Sequence, residues 1–299
     1  MVPEGRHARD PRAMADAAAD AGADLRWSAE VSTLERSAGR VRAVRLASGE
    51  RIACDAVVLT CELPTAYDLL GRRPLRPARL RHSPSAVILH AGTDRTWPQL
   101  AHHTISFGGA WERTFDELTR TGELMSDPSA HHPADHPRPV PGTAGTSPPL
   151  RSGPCPNTTV GPGPPRGGTS ARATATVWSV NWNAGAWTGS PTASRKRSWS
   201  PLDWAAQGHA AGSPFSVSHT FAQTGPFRPR NLVRGVENVV LAGCGTTPGV
   251  GVPTVLISGK LAAARITGGT GPGSVRARPL PATAGVSTVP APAGTDDPS

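Results

Sequence analysis

Apolar positions recur with a helical period over residues 11–23, where Met14, Ala17, Ala18 and Ala21 share one side and Gly22 provides a stop. Short alternating runs follow. Residues 25–36 and 40–52 predict two strands joined by a turn at Ser37-Ala38-Gly39, with a second turn at Ser48-Gly49. The stretch CDAVVLTCELP is different: its apolar core, Ala56 to Leu59, is continuous. Continuous character predicts a strand covered on both faces, as in a parallel sheet under helices. A short helix over PTAYDLLG comes next. Alternation resumes at 82–94, predicting a strand of a different sheet, with HHTISFG at 102–108 as its pairing candidate. Residues 110–124 predict an amphipathic helix with Trp111, Phe115 and Leu118 on one face. These elements together describe an α/β chain.

The last patterned unit is NVVLAGCGTTPGVGVPTVLISGKLAAARI, residues 238–266. Asn238 to Ala242 predicts a buried strand. Gly243-Cys244-Gly245 lets the backbone turn tightly and approach a ligand without Cβ obstruction. Thr246 and Thr247 offer hydroxyls, and Pro248-Gly249 is a turn pair. Gly251-Val252-Pro253 opens a helix, with proline in the first turn where its missing N–H costs nothing. Val252, Val255, Leu256, Gly259, Ala263 and Ile266 predict its apolar stripe. The unpaired N–H groups at such a helix start favour an anionic or electron-rich ligand edge. The glycine spacing does not fit G-x-G-x-x-G, and no acid follows about 20 residues on. By spacing alone the unit also fits an ordinary strand-to-helix turn.

Residues 130–200 interrupt the pattern. They hold no Glu, Ile or Phe and a single Leu, yet four of the eight Trp. A low-complexity linker would account for the Pro, Gly, Ser and Thr, but disordered segments are poor in aromatics. Only two of the 31 basic residues are lysine (Lys196 and Lys260), which points to GC-rich coding. With GC-rich codons assumed for VNWNAGAWTGS, residues 180–190, a frame starting one base earlier spells R-E-L-E-R-R-G-L-D-G-F, a helix-forming string. Translation out of frame is therefore one expectation for 130–200. Residues 268–299, rich in Pro, Ala, Thr and Gly, predict a disordered tail.

Composition narrows the function. The formal charge of +9 suggests nucleic acid, but +6 of it comes from 130–200, and no reader motif accompanies it. Cys54, Cys61, Cys155 and Cys244 form no CxxC pair, so neither a zinc site nor a disulfide framework is expected. The adjacent pairs His102-His103 and His131-His132 would point apart on strands, so no metal is expected there either. Ser216 and Ser218 near His219 lack a G-x-S-x-G elbow. Cys244 would gain reactivity at a helix start, although a small buried role suits it better. With no signal-peptide core and no long apolar run, a cytoplasmic chain is expected.

LAGCGTTPGVGVPTVLISGKLAA resembles the C-terminal flavin-binding stretch, G-x-G-T-x-P-G-x-G-x-P then helix, of the phytoene desaturase family, in its actinobacterial form. PFSVSHTFAQTGPFRPRN at 214–231 resembles the segment just before it. RAMADAAADAGADLRWSAEVSTLE and GERIACDAVVLTCELPTAYDLL resemble the middle of that family's cofactor domain, and HSPSAVILHAGTDRTWPQLAHHTISFG the start of its substrate-domain sheet. The resemblance covers about residues 11–129 and 201–267. It implies an FAD-dependent oxidoreductase that desaturates a polyprenoid such as phytoene, built from a partial Rossmann-like FAD-binding domain and a partial antiparallel-sheet substrate domain. It implies FAD contacts at Gly243, Gly245, Thr246, Gly251, Val252 and Pro253, with Val31, beside Glu30, near the adenine end. The cofactor accepts hydride in such chemistry, so no catalytic side chain is assigned. An apolar polyene partner and peripheral membrane contact are implied; metal and nucleic acid are not.

The implied domains are 1–75 for the middle of the FAD-binding domain, 76–129 for part of the substrate domain, 130–200 irregular, 201–267 for the end of the substrate domain with the C-terminal FAD unit, and 268–299 as tail. The family's opening strand with its G-x-G-x-x-G turn has no counterpart in this sequence, and PEGRHARDPRAM departs from the usual approach to the first helix. Weak or non-stoichiometric FAD binding is the corresponding expectation. A non-catalytic remnant and another flavin amine-oxidase-like enzyme stand as alternatives. The frame reading predicts that codon-position GC bias changes phase across 130–200 in the coding DNA; bias that stays in phase would sink it.

Overall fold

The computed structural model describes residues 9–72, 80–92, 103–127, 129–133, 150–155 and 195–268. Helix α1 spans Arg9–Asp20, and an antiparallel sheet follows, made of β1 (Val31–Ser37), β2 (Arg40–Leu46) and β3 (Arg51–Ala53). The two expected turns are present. Ala38 and Gly39 both take positive φ in the first, and Gly49 does so in the second. Glycine bears this backbone without the Cβ penalty that Ala38 accepts.

Strand β4 (Val57–Leu59) pairs in parallel with β10 (Val239–Leu241), Val57 opposite Val239 and Leu59 opposite Leu241. The parallel character expected of β4 is present, but its coverage is uneven. Leu59 is buried while Val58 is 39% exposed, whereas all of β10 is buried. The main core lies between this pair, β1–β2, and helix α2 (Leu63–Leu69), with Leu34, Val41, Leu63, Leu70 and Leu241 inside. Each such side chain removed from water contributes about 1.5–3 kcal/mol.

Asn238, just before β10, ties the layers together. Its amide nitrogen donates to the carbonyls of Val41 (2.8 Å) and Asp55 (2.7 Å), and its oxygen accepts the Val41 N–H at 2.8 Å. One buried side chain thus serves backbone groups of β2 and of the approach to β4.

A second sheet has the order β6-β7-β8-β5-β9 and is antiparallel throughout. Its strands are β5 (Ser85–Gly92), β6 (His103–Ser106), β7 (Ala130–Pro133), β8 (Leu150–Cys155) and β9 (Arg195–Trp199). The sequence pattern pairs β6 with β5; the structure places β7 and β8 between them. Those two strands and β9 come from the segment expected to be irregular. Strand pairing satisfies backbone groups whatever the side chains, so apolar alternation is not required for a strand to join an existing sheet. The rest of 134–194, the frame-shifted string at 180–190 included, lies outside the described residues, as does the tail at 269–299.

Helix α3 (Trp111–Asp116) continues into a wider turn at Glu117–Thr121 and stops at Gly122, whose φ is 70°. The expected face of Trp111, Phe115 and Leu118 is split. Leu118 is buried with Thr114 and Glu117, while Trp111 and Phe115 stack edge-to-face at the surface, 4.7 Å apart. The wider turn shifts the phase of the helix and so breaks the period on which that face was projected. Helix α4 (Pro201–Ala206) begins with a capping box, Ser200 and Asp203 each serving the other's backbone N–H. Among the described residues no helix is long and apolar enough to cross a membrane.

Asn238→Ala should lower stability by roughly 3 kcal/mol, because the buried N–H and carbonyl of Val41 and the half-buried carbonyl of Asp55 lose this partner. Chemical denaturation read by circular dichroism would show it as a lower midpoint; an unchanged midpoint would mean the tie carries no load.

Candidate functional site

In α/β layers, ligands bind beyond the carboxyl ends of the parallel strands. Two loops leave those ends here. Thr60-Cys61-Glu62 runs from β4 into α2, and residues 242–251 run from β10 into α5 (Val252–Thr267).

The second loop is held from behind by Arg228. This side chain is 1% exposed, and its guanidinium donates to the carbonyls of Cys244, Thr246 (3.2 Å) and Val217 (3.4 Å). Burial lowers its pKa, and the nearby Cys244 and Glu62 oppose that shift. Asn231 adds a second clamp, its amide reaching the carbonyls of Leu241 (3.0 Å) and Thr247 (3.1 Å). Thr247 N–H donates to Pro229 O at 3.0 Å. The loop's inward carbonyls are therefore satisfied by side chains from 228–231, and its shape is imposed before any ligand arrives.

The residues proposed from sequence separate into two groups. Thr246 is 2% exposed, with its hydroxyl on Gly243 O at 3.2 Å, so it braces the loop from within. Gly245 is tightly packed: a Cβ there would stand 3.1 Å from Ser216 Oγ and 3.2 Å from Leu63 Cγ. Gly249, with φ 146°, leaves a Cβ only 3.0 Å from His219 Nε2. Gly251, Val252 and Pro253 are instead exposed, Val252 at 75%. Gly243 has φ 113°, and the nearest atom to an added Cβ is Thr60 O at 3.5 Å. Its N–H donates to Ser258 Oγ at 3.0 Å. Val31 opens β1 opposite Leu46 and packs on the main core.

Helix α5 departs from the stripe expected of it, of which Ile266 packs inward. Val252, Val255 and Leu256 are exposed, and the buried positions are Ser258 and Ala262. Small side chains let the helix sit close to Val240 and Ala242, and the Ser258 hydroxyl reaches the loop only on that side. Close approach, together with one hydrogen bond, outweighs the area of the larger residues.

Cys244 is half-buried, and burial, followed by the charge of Glu62, pushes its thiol up. It is thus not the reactive thiolate that a helix start can create. Among the described residues no group of His, Cys, Asp and Glu could hold a metal ion. Sequence inspection missed Arg228, Asn231 and Glu62. Arg228 and Asn231 had a signal, being polar residues inside the segment 214–231 quoted for its resemblance.

A flavin edge fits part of this surface. Gly243 and Gly251 take positive φ, 113° and 114°, with only Thr60 O at 3.5 Å and Thr254 Oγ1 at 3.4 Å nearest an added Cβ, while Gly245 and Thr246 are committed to packing. Arg228→Met should cost about 3 kcal/mol, since the carbonyls of Cys244, Thr246 and Val217 lose a charged donor. A thermal unfolding midpoint lower by several degrees is expected; an unmoved one would refute its clamping role.

Residues 8–267 match the family of flavin containing amine oxidoreductases. A phytoene dehydrogenase of Streptomyces griseus is 60% identical over 270 residues, covering 88% of this chain and 52% of that protein. A zeta-carotene-forming phytoene desaturase of Myxococcus xanthus is 32% identical over 276 residues, again 88% of this chain and 52% of that protein. A lycopene-forming phytoene desaturase of Pantoea ananas is 28% identical, covering 82% and 51%. The chain thus spans about half the length of these relatives. A match over this much of the sequence, which includes the strand–loop–helix unit at 239–267, places the chain in the flavin-containing amine oxidoreductase family.

Proposed function

We propose that this chain carries the loop that faces FAD in an oxidoreductase desaturating a polyprenoid precursor such as phytoene. The carrying observation is the 60% identity to a phytoene dehydrogenase, extending over 88% of the chain. The glycine-rich loop supports it, because it leaves the carboxyl end of β10, where α/β layers take ligands, and ends on the exposed Val252.

A bound flavin would supply the electron-accepting centre. The protein's part is positional. Gly243 would admit the ring edge closely. Gly251, Val252 and Pro253, at the start of the 16-residue helix α5, would meet the polar end of the ring with the positive end of the helix dipole. Arg228 and Asn231 act from the far side, keeping that surface in one shape and so lowering the cost of ordering it on binding. The substrate class follows from the relatives' chemistry: a long apolar polyene, oriented by shape and by exclusion of water.

Titration of the purified chain with FAD should perturb the flavin's visible absorption band in a saturable way. Val252→Asp should weaken that binding about tenfold, because a carboxylate would face the ring while remaining compatible with a helix start. No saturable change at excess FAD, or a Val252→Asp variant that binds equally well, would overturn the assignment.

A further inference from the structure

Glu62 and Ser216 are 154 positions apart, yet Ser216 Oγ donates to Glu62 Oε2 at 2.8 Å. Each residue is unusual for its place. Glu62 stands at the N-cap of α2 but makes no capping bond with its side chain. That side chain is only 9% exposed, and burial pushes its carboxyl up from the usual range, opposed by the Ser216 hydroxyl and by His209 and Arg228. Ser216 is fully buried and takes φ 56°, a region that L-residues with side chains rarely occupy. A buried carboxyl and a left-handed serine each cost stability locally. Both costs are accepted where the two side chains meet.

They meet against the glycine-rich loop. Ser216 Oγ and Leu63 Cγ bound the space where a Gly245 side chain would sit. Cys244, the preceding residue, lies close enough for the Glu62 charge to raise its thiol pKa and the Ser216 hydroxyl to lower it. His209 Nδ1 lies 4.0 Å from Glu62 Oε1, buried and without a hydrogen-bond partner. The charged or titratable groups facing Glu62 are thus His209, Arg228, Cys244 and its neighbour Cys61.

We propose that Glu62 is a positioning residue: acting through Ser216, it latches the Cys244-Gly245 turn to the carboxyl end of β4 and so fixes the edge offered to the cofactor. The link to a cofactor rests on the function proposed above; the latch itself does not. Arg228 grips the loop by its inward carbonyls, and the latch holds the adjoining turn from the side of α2. A loop held from two directions presents one surface.

Native-state hydrogen exchange on the full chain tests the latch without cofactor. In Ser216→Gly, which removes the hydroxyl while suiting the backbone, amides of 243–251 should exchange about tenfold faster, the scale of one charge-assisted hydrogen bond. Glu62→Ala should match it, and Glu62→Gln, which keeps an acceptor, should fall between. Peptides from β1–β3 should not change. FAD affinity should fall in the same order as loop protection. Loop exchange within twofold of the parent in both Ser216→Gly and Glu62→Ala would overturn the proposal, as would an equal rise in β1–β3. If exchange responds as expected but the parent chain binds no FAD, the latch stands and the flavin assignment fails. If FAD binds and exchange is unmoved, the reverse holds.

Discussion

The amide of Asn238 joins pieces of chain separated by 197 and 183 positions, and the α/β layer depends on that junction. Two parallel strands alone make a poor sheet, since parallel strands are ordinarily covered on both faces and flanked by further strands. Here β10 is reached only after a long excursion through the second sheet. The entropy of closing so long a loop must be offset by specific contacts at the closure point. Asn238 supplies three hydrogen bonds there, and the buried faces of Val239 and Leu241 supply the apolar area. The carboxyl ends of β4 and β10, with both their loops, are aligned as a consequence.

Polar burial continues along the same line. Asn231, Arg228, Thr246, Ser216 and Glu62 are buried or nearly so, and each is bonded to the loop or to a residue that touches it. Buried polar groups are tolerated when their partners are present and penalised heavily when they are not. Such a set favours one conformation of the loop over its alternatives. Apolar packing could not do this as well, because a glycine-rich turn has few side chains to pack. The glycines divide the work: Gly245 and Gly249 are small so that the protein can close around the loop, while Gly243 and Gly251 supply the positive φ at its two ends.

Much of this was legible in the residues. The hairpin over 31–46 with its turn, the turn at Ser48-Gly49, the parallel character of β4, the β10 strand and the long helix after the glycines all follow from period and turn chemistry. The glycine-rich stretch was recognisable by its resemblance to a segment of the family to which the chain belongs. Three things were not legible. The strands at 130–133, 150–155 and 195–199 lack alternation, because membership of a sheet can be set by the neighbour's backbone. The inward face of α5 was read from apolar period, whereas close approach selected Ser258 and Ala262, and of the expected stripe Ile266 packs beside them. Glu62 carried no signal of its own, since its partner lies in a different part of the sequence.

The sequence by itself determined local structure and kinship: which stretches turn, which extend, and which family the chain resembles. These depend on φ preferences, side-chain period and residue identity over a few neighbours. Only the tertiary structure decided which proposed site residues reach the surface and which hold the loop from within. Thr246 and Val252 look equally eligible as letters, yet one is 2% exposed and the other 75%. That difference is set by Arg228, Asn231 and Ser216, whose positions relative to the loop are fixed by long-range contacts that no local pattern encodes.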